Sequence, residues 1–510
     1  MSGFLCEFLM ALRAAFSRRA AFAWFVVVFA GFMLRSDWLG ATSLIRALDL
    51  SPALYPSLLH FFHSESWTGG KLLRLCVKRL AAMGLLVLVD GSLVIIGDET
   101  KAPKEGRRMP NVKTLRQTSE TSSKPSYFRG HEWMFLGVLI GAGLKLFCAP
   151  AYALLSDGVS KVKPKPKPKA KAKTKARTKV KAKIKATAKA TAKATAKATA
   201  KAKAKQEAKE KGEEPRTAGI VKAAAEVAAD LALKAYLVLD AFYGVGPVFV
   251  AAREAGNINI VTRAKSNCVV HIPAAPRAER GRGRPRKYDG AVKVGSLYAS
   301  ESGQFETRRA KVYGREEEVR LLARVYHWKP SGGLLLFVLA ETSAGRITLM
   351  CSKLDIDPVT ALELYCHRSL VEVMFGNLKN LLGAMEYRFW SAPLAPQSRR
   401  PAPNPPARHS DSPKATAQTL AAISNFVHVG MVALAFLQAF ACKFGPTAVA
   451  EADCWLRTSS GPVPSEFVAK LAAGNILRRL LRASASNPIA QIIRAKQRRP
   501  KGDESMEATG

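Results

Sequence analysis

A chain of 510 residues with 48% apolar side chains has material for roughly two to four domains with real cores. The formal charge is +40, and about 21 Lys or Arg against two Glu between Lys161 and Gly212 supply about half of it, so the rest is basic in its own right. Both parts call for a polyanionic partner. The cysteines and histidines are scattered without a Cys-x-x-Cys pair or paired His spacing, which disfavours a zinc site or disulfide framework and suits a reducing, cytoplasmic compartment where a basic chain associates with the nucleoid.

Residues 1–80 predict a helical domain. Apolar runs at Phe4–Leu12, Phe22–Leu34 and Leu58–Phe62 are interspersed with Arg13, Arg18, Arg19, Arg35, Lys71, Arg74, Lys78 and Arg79. The run Ala20–Leu34 falls short of the roughly 20 residues a spanning helix needs, and Met134–Leu155 holds Lys145, Pro150 and several glycines, so no membrane span is expected.

Residues 85–158 open an α/β core. The stretch LLVLVDGSLVIIGDET (85–100) is two β-branched runs about Asp90-Gly91, a hairpin by turn chemistry, with Asp98 ending its second strand. A polar loop and a strand pair from Met134 follow. Residues 159–218 are Lys/Ala/Pro-rich. Lys-Pro alternation cannot be helical, so this insert is expected to be disordered in isolation, either clamping DNA phosphates or a neutral repeat expansion.

In residues 219–270 an Ala-rich helix leads into YLVLD, a strand ending at Asp240, followed by a helix and the strand INIVTR. Strand, carboxylate, helix, strand is the order of a ribonuclease-H-like sheet, whose ligands sit at strand ends. Residues 271–352 begin with the basic loop GRGRPRKYDG and continue as short strand-like runs, a β-rich insertion.

Residues 353–390 carry the densest polar pattern. A helix begins just beyond Pro358, and at 100° per residue Tyr365, Arg368, Glu372 and Lys379 share a stripe about 60° wide, beside an apolar face of Leu364, Val371, Met374, Phe375, Leu378 and Leu382. Residues 391–415 are a Pro-rich linker that cannot be compact. Residues 416–510 resume as an apolar helix and a basic tail that offers phosphate contacts or solubility.

The spacing Tyr365-x2-Arg368-x3-Glu372-x6-Lys379 resembles the signature of the insertion-sequence-four group of DDE transposases, and LLGAMEYRFW, with Arg388, is similar to its continuation. Lys101, Lys104, Gly106, Met109, Pro110, Gly130 and His131 match the loop that follows that group's first acid. The resemblance implies a ribonuclease-H-like (retroviral-integrase-like) α/β core with a β-rich insertion. It makes residues 1–80 a domain that grips DNA ends, the other reading being a helical cap on the core.

It further implies Asp98, Asp240 and Glu372 as catalytic metal ligands, with Asp90 the rival for the first position because its Asp-Gly turn needs no chemistry. Two Mg2+ ions about 3.5–4 Å apart, with Mn2+ as substitute, are the expected cofactors. Tyr365, Arg368, Lys379 and Arg388 would contact DNA, and Trp328 would stack a displaced base. The expected function is a transposase acting as a homodimer on terminal inverted repeats and target DNA. The alternative is a non-catalytic basic DNA-binding protein carrying a degenerate form of the fold.

Overall fold

The computed structural model describes residues 1–117, 126–157, 216–274, 288–400, 408–455, 461–483 and 486–497. The Lys-rich insert, apart from residues 216–218, lies outside these residues, as do residues 275–287, which hold most of the basic loop, and the end of the basic tail.

The hairpin expected at Asp90-Gly91 is present. Strand β1 (Leu88–Val89) turns through Asp90 (φ 48°) and Gly91 (φ 68°) into β2 (Ser92–Pro103). Two successive left-handed residues are what a two-residue hairpin turn demands. β2 does not stop at Asp98 but runs five residues further, because β4 keeps pairing with it as far as Pro103↔Gly130.

The remaining core strands are β3 (Lys113–Arg116), β4 (Tyr127–Ala142), β5 (Lys145–Leu155), β6 (Ala235–Leu239) and β7 (Ile258–Arg263). They lie in the order β5-β4-β2-β6-β7, antiparallel up to β2 and parallel from β2 through β6 to β7. The helix Arg216–Ala229 leads into β6, and Gly246–Ala255 crosses from β6 to β7. Every residue of β6 is buried, as its unbroken AYLVL run requires of a central parallel strand. This arrangement is consistent with a ribonuclease-H-like α/β fold.

The β-rich insertion supplies β8 (Val269–Pro273), β9 (Tyr288–Lys293), β10 (Glu306–Val312), β11 (Arg315–Trp328), β12 (Gly333–Thr342) and β13 (Gly345–Cys351). It does not interrupt the core but lengthens it: β13 pairs antiparallel with β7, giving one sheet of 13 strands.

Helices from both ends of the chain pack together. The N-terminal segment forms Ser2–Ala11, Arg19–Leu34, Thr42–Ala47, Tyr55–His63 and Gly69–Ala82. Against them lies Pro413–Ala452, bent at Gly445 (φ 45°) before Pro446, with Phe426 on Phe32 and Phe62 and Phe436 on Phe8 and Phe29. This helix is long and apolar enough to cross a membrane, but 78% of its most apolar stretch is buried inside the fold.

Two expectations are corrected. The single helix expected from Pro358 onward is two helices, Pro358–Cys366 and Ser369–Gly376, continued by a π-helical turn at Asn377–Leu381. At the break, backbone N–H groups reach back three residues rather than four (Arg368 to Tyr365, Leu370 to His367, Val371 to Arg368), and Gly383 (φ 60°) ends the run. The Pro-rich linker is tied down over its described part: Ser391 and Gln397 N–H groups donate to the carbonyls of Arg108 and Arg107, and Arg408 donates to Met109 and Ala395. Proline bars a helix, yet its neighbours' amides and side-chain cations still find acceptors on the 107–109 loop.

Candidate active site

The β2–β6 register places the first two acids together. Ile96 pairs with Val238 on parallel strands, so two residues on, Asp98 comes level with Asp240. Adjacent strands are about 4.8 Å apart, within reach for two carboxylates. Asp240 follows the end of β6, where its Oδ1 accepts the Phe242 N–H (2.8 Å) and its carbonyl accepts the Thr262 hydroxyl (2.7 Å).

The third acid joins through Arg368. Its Nη1 donates to Asp98 Oδ2 (2.8 Å) and its Nη2 to Glu372 Oε1 (2.9 Å), so one guanidinium spans strand and helix. The helix break makes this possible: Arg368 sits at the joint of the two helices, one turn before Glu372. Lys379 donates to Thr100 Oγ1 (2.6 Å), two residues beyond Asp98 on β2. The structure therefore brings Asp98, Asp240, Glu372, Arg368 and Lys379 to one place.

The electrostatics show strain. Burial, with neighbouring Asp240 and Glu372, pushes the Asp98 carboxyl up to about 6, although the Glu99 amide and Arg368 pull the other way. Burial alone would lower the Arg368 pKa, yet Asp98, Tyr365, Glu372 and Asp240 hold it above the ordinary value. Tyr365 is buried beside this group, its phenol raised by burial against the pull of Arg368 and Arg263.

The cluster opens into a cleft of about 1170 Å³, whose walls include Asp98, Asp240, Lys379, Lys101, Arg116 and Phe242.

Other sequence candidates lie elsewhere. Trp328 is buried, edge-on to Phe249 (5.6 Å) on the crossover helix, and presents no open face to a base. It ends an inward-facing β-strand, which location in the insertion alone did not reveal. Arg388 is exposed on the segment after the helix, over Gly40 and near Lys104. Asp90 is at the far end of β2, bonded to the Tyr236 hydroxyl (3.0 Å) and paired with Lys353 (3.6 Å), a structural role. Two aromatics were missed: Phe242, exposed at the cleft beside Asp240, and Tyr313, half-exposed at the β10–β11 turn near Arg368 and Arg263. The Tyr313-Gly314 turn is the one sequence signal that could have found the latter.

The helix that carries Glu372 is fixed at its far end by buried cations. Arg35 donates to the Leu382 carbonyl (3.0 Å from Nε) and Lys470 to that of Leu381 (2.8 Å), occupying acceptors that a helix C-terminus leaves open. Burial lowers both, Arg35 to about 9 and Lys470 to about 8. Lys104 reaches the Met385 carbonyl and lies 4.2 Å from the Tyr387 ring centre. The Tyr387 hydroxyl, in turn, takes a hydrogen bond from Trp133 Nε1 (2.9 Å) and meets His131 Nδ1 at 2.7 Å, while His131 Nε2 meets the Pro110 carbonyl at 2.8 Å. Since that carbonyl only accepts, Nε2 carries the proton and the Tyr387 hydroxyl donates to Nδ1.

The donor set suits a hard divalent cation: it is all oxygen, with two carboxylates side by side and one of them strained. Among the described residues no three His, Cys, Asp or Glu side chains gather into a group that could hold a metal ion. Arg368 occupies the gap between Asp98 and Glu372 instead.

A mixed sheet in this strand order, with acids at two parallel strands and a flanking helix, is consistent with the class of ribonuclease-H-like α/β proteins. Residues 11–318, more than half of the chain, match the family described as DDE superfamily endonuclease, and the chain belongs to that family. Membership makes DNA the substrate class and nuclease- or transposase-type chemistry the function at family level. The match takes in Asp98 and Asp240 and ends before Glu372. Comparison with curated proteins finds no match.

Proposed function

We propose that the protein is a transposase of the insertion-sequence-four group, which cleaves phosphodiesters at the ends of a DNA element and joins them to target DNA. The observation that carries this reading is the meeting of Asp98 and Asp240 on neighbouring parallel strands, with Arg368 linking Asp98 to Glu372. Asp98, Asp240 and Glu372 would hold two Mg2+ ions, replaceable by Mn2+. Such ions activate the attacking water or 3′-hydroxyl and neutralise charge at phosphorus and the leaving oxygen.

The protein's own residues do the rest. Arg368 presents a planar fork to a phosphate once Glu372 no longer engages it, and Lys379 supplies a point charge beside Thr100. Tyr365, buried beside Arg368, would meet the same phosphate through its hydroxyl. The protein would act as a homodimer, since two ends must be cut together, in the cytoplasm and with no membrane part.

A second reading has an observation of its own. Arg368 already neutralises Asp98 and Glu372, as it would in a DNA-binding protein with an inert relic of this site. Nicking of end-bearing DNA with Mg2+ separates the two. The transposase reading expects wild type to nick and Glu372→Gln to fail; nicking that survives the substitution removes it.

A further inference from the structure

The cleft extends well past the carboxylates. Lys101 lies three residues and Pro103 five residues beyond Asp98 on β2, about 10 and 17 Å away at ~3.3 Å per residue, and both line the cleft. The far wall is β3, ending at the exposed Arg116, and Lys101 Nζ donates to the Arg116 carbonyl (3.0 Å), joining the two strands. Beneath them Lys113 is buried and neutralised by Glu132 (2.9 Å). The cations left to face the cleft are Lys101 and Arg116, with Lys379 at Thr100, between Lys101 and Asp98 along β2.

The same walls carry aromatic rings. Tyr127 and Phe128, half-buried, pair with Arg116 and Leu115 across β3–β4, and Phe242 stands exposed beside Asp240. Lysines and arginines spaced along a groove with rings between them are the means by which proteins hold one unpaired strand: cations on phosphates, rings on base faces. A duplex hides its base faces in its own stack.

We infer that this groove binds a single-stranded DNA segment running on from the scissile phosphate, with Lys101 and Arg116 on its phosphates and Tyr127, Phe128 and Phe242 against its bases. The inference rests on the proposed DNA-cleaving function. At ~3.4 Å per stacked nucleotide the groove holds roughly five nucleotides. One end of the cleft is thus the reaction site and the other a holding site for an unpaired flank.

The test is binding measured by fluorescence anisotropy in EDTA, so that no cleavage occurs. The full chain is given end-bearing duplex DNA that is blunt, or extended on either strand by an unpaired tract of about five nucleotides, or extended by the same length of duplex. The unpaired extension on one strand should tighten binding about tenfold over blunt DNA. Lys101→Ala with Arg116→Ala should abolish that gain, flatten the salt dependence for extended DNA by about 1.4 in the log–log slope, and leave blunt-DNA binding unchanged.

The inference is overturned if the unpaired tract adds nothing, if a duplex extension gives the same gain, or if the double substitution weakens blunt and extended DNA alike. Its failure is distinguishable from failure of the catalytic proposal: absence of nicking by wild type would sink that reading even where the extension tightens binding, and a nicking enzyme indifferent to the extension would sink only this one.

Discussion

Tyr387→Phe removes one oxygen from the interior and leaves everything else in place. The ring keeps its position beneath Lys104, and the fully buried site gains no cavity larger than a hydroxyl. What disappears is the middle of the chain Trp133 N–H, Tyr387 O–H, His131 imidazole. Trp133 Nε1 and His131 Nδ1 are then buried without partners, at ~1–3 kcal/mol each, so the unfolding free energy should fall by roughly 2–6 kcal/mol. Tyr387 belongs to the segment leaving the Glu372 helix and His131 to β4, so the damage loosens strand from helix. Urea unfolding followed by tryptophan fluorescence measures the loss, and native hydrogen exchange in residues 369–382 should quicken. A change below about 0.5 kcal/mol would refute the reasoning, because it would mean the two nitrogens were never satisfied through this hydroxyl.

Three further outcomes follow from the geometry. Burial holds His131 down at about 3, so the native ring stays neutral while the unfolded ring takes a proton below about 6.5; stability is full above that pH and declines as the pH falls toward 3, with roughly 2 kcal/mol gone by pH 5, and urea midpoints against pH for wild type and His131→Gln will show whether the slope belongs to this residue. Arg368→Gln leaves Asp98, Asp240 and Glu372 without their bridging cation, so metal-free stability should drop by about 1–3 kcal/mol and added Mn2+ should restore it more strongly than in wild type; weaker Mn2+ stabilisation of the variant in thermal unfolding would contradict this. Tyr313→Asn, which tolerates the φ of 47° at that turn, should weaken end-DNA binding about tenfold or more, whereas Trp328→Phe should leave it unchanged; equal effects in a filter-binding assay would mean the insertion meets DNA in another way.

Which side chains meet at the site was more legible than the scaffold that brings them there. A fixed spacing on one helical stripe picked out Arg368, Glu372 and Lys379, and the strand-end pattern picked out Asp240, because those signals are local: one follows the turn of a helix, the other the end of an apolar run. The helix break at His367–Arg368 left no mark in composition, yet it sets the reach of Arg368 to Asp98. The buried cations show the same limit. Nothing in the sequence marks Arg35, Lys104 or Lys470 as a partner of the Glu372 helix, and only the folded backbone brings the carbonyls of residues 381–385 to them. Residues 271–352 were legible as strands but not as an extension of the core sheet, since the β7–β13 pairing joins segments about 85 residues apart. Trp328 was misplaced for a related reason: alternation along β11 sets which side of the sheet it faces, and membership of the insertion does not.

The account stands on Asp98, Asp240 and Glu372 acting as one metal-binding unit. Mn2+ titration of the full chain by isothermal calorimetry, in wild type and in Asp98→Asn, Asp240→Asn and Glu372→Gln, measures this without any need for turnover. Each single substitution is predicted to weaken binding by at least about tenfold, since under the proposed function each would remove one of three carboxylate ligands. Wild-type affinity in any one of the three variants would contradict the claim and remove that residue from the site.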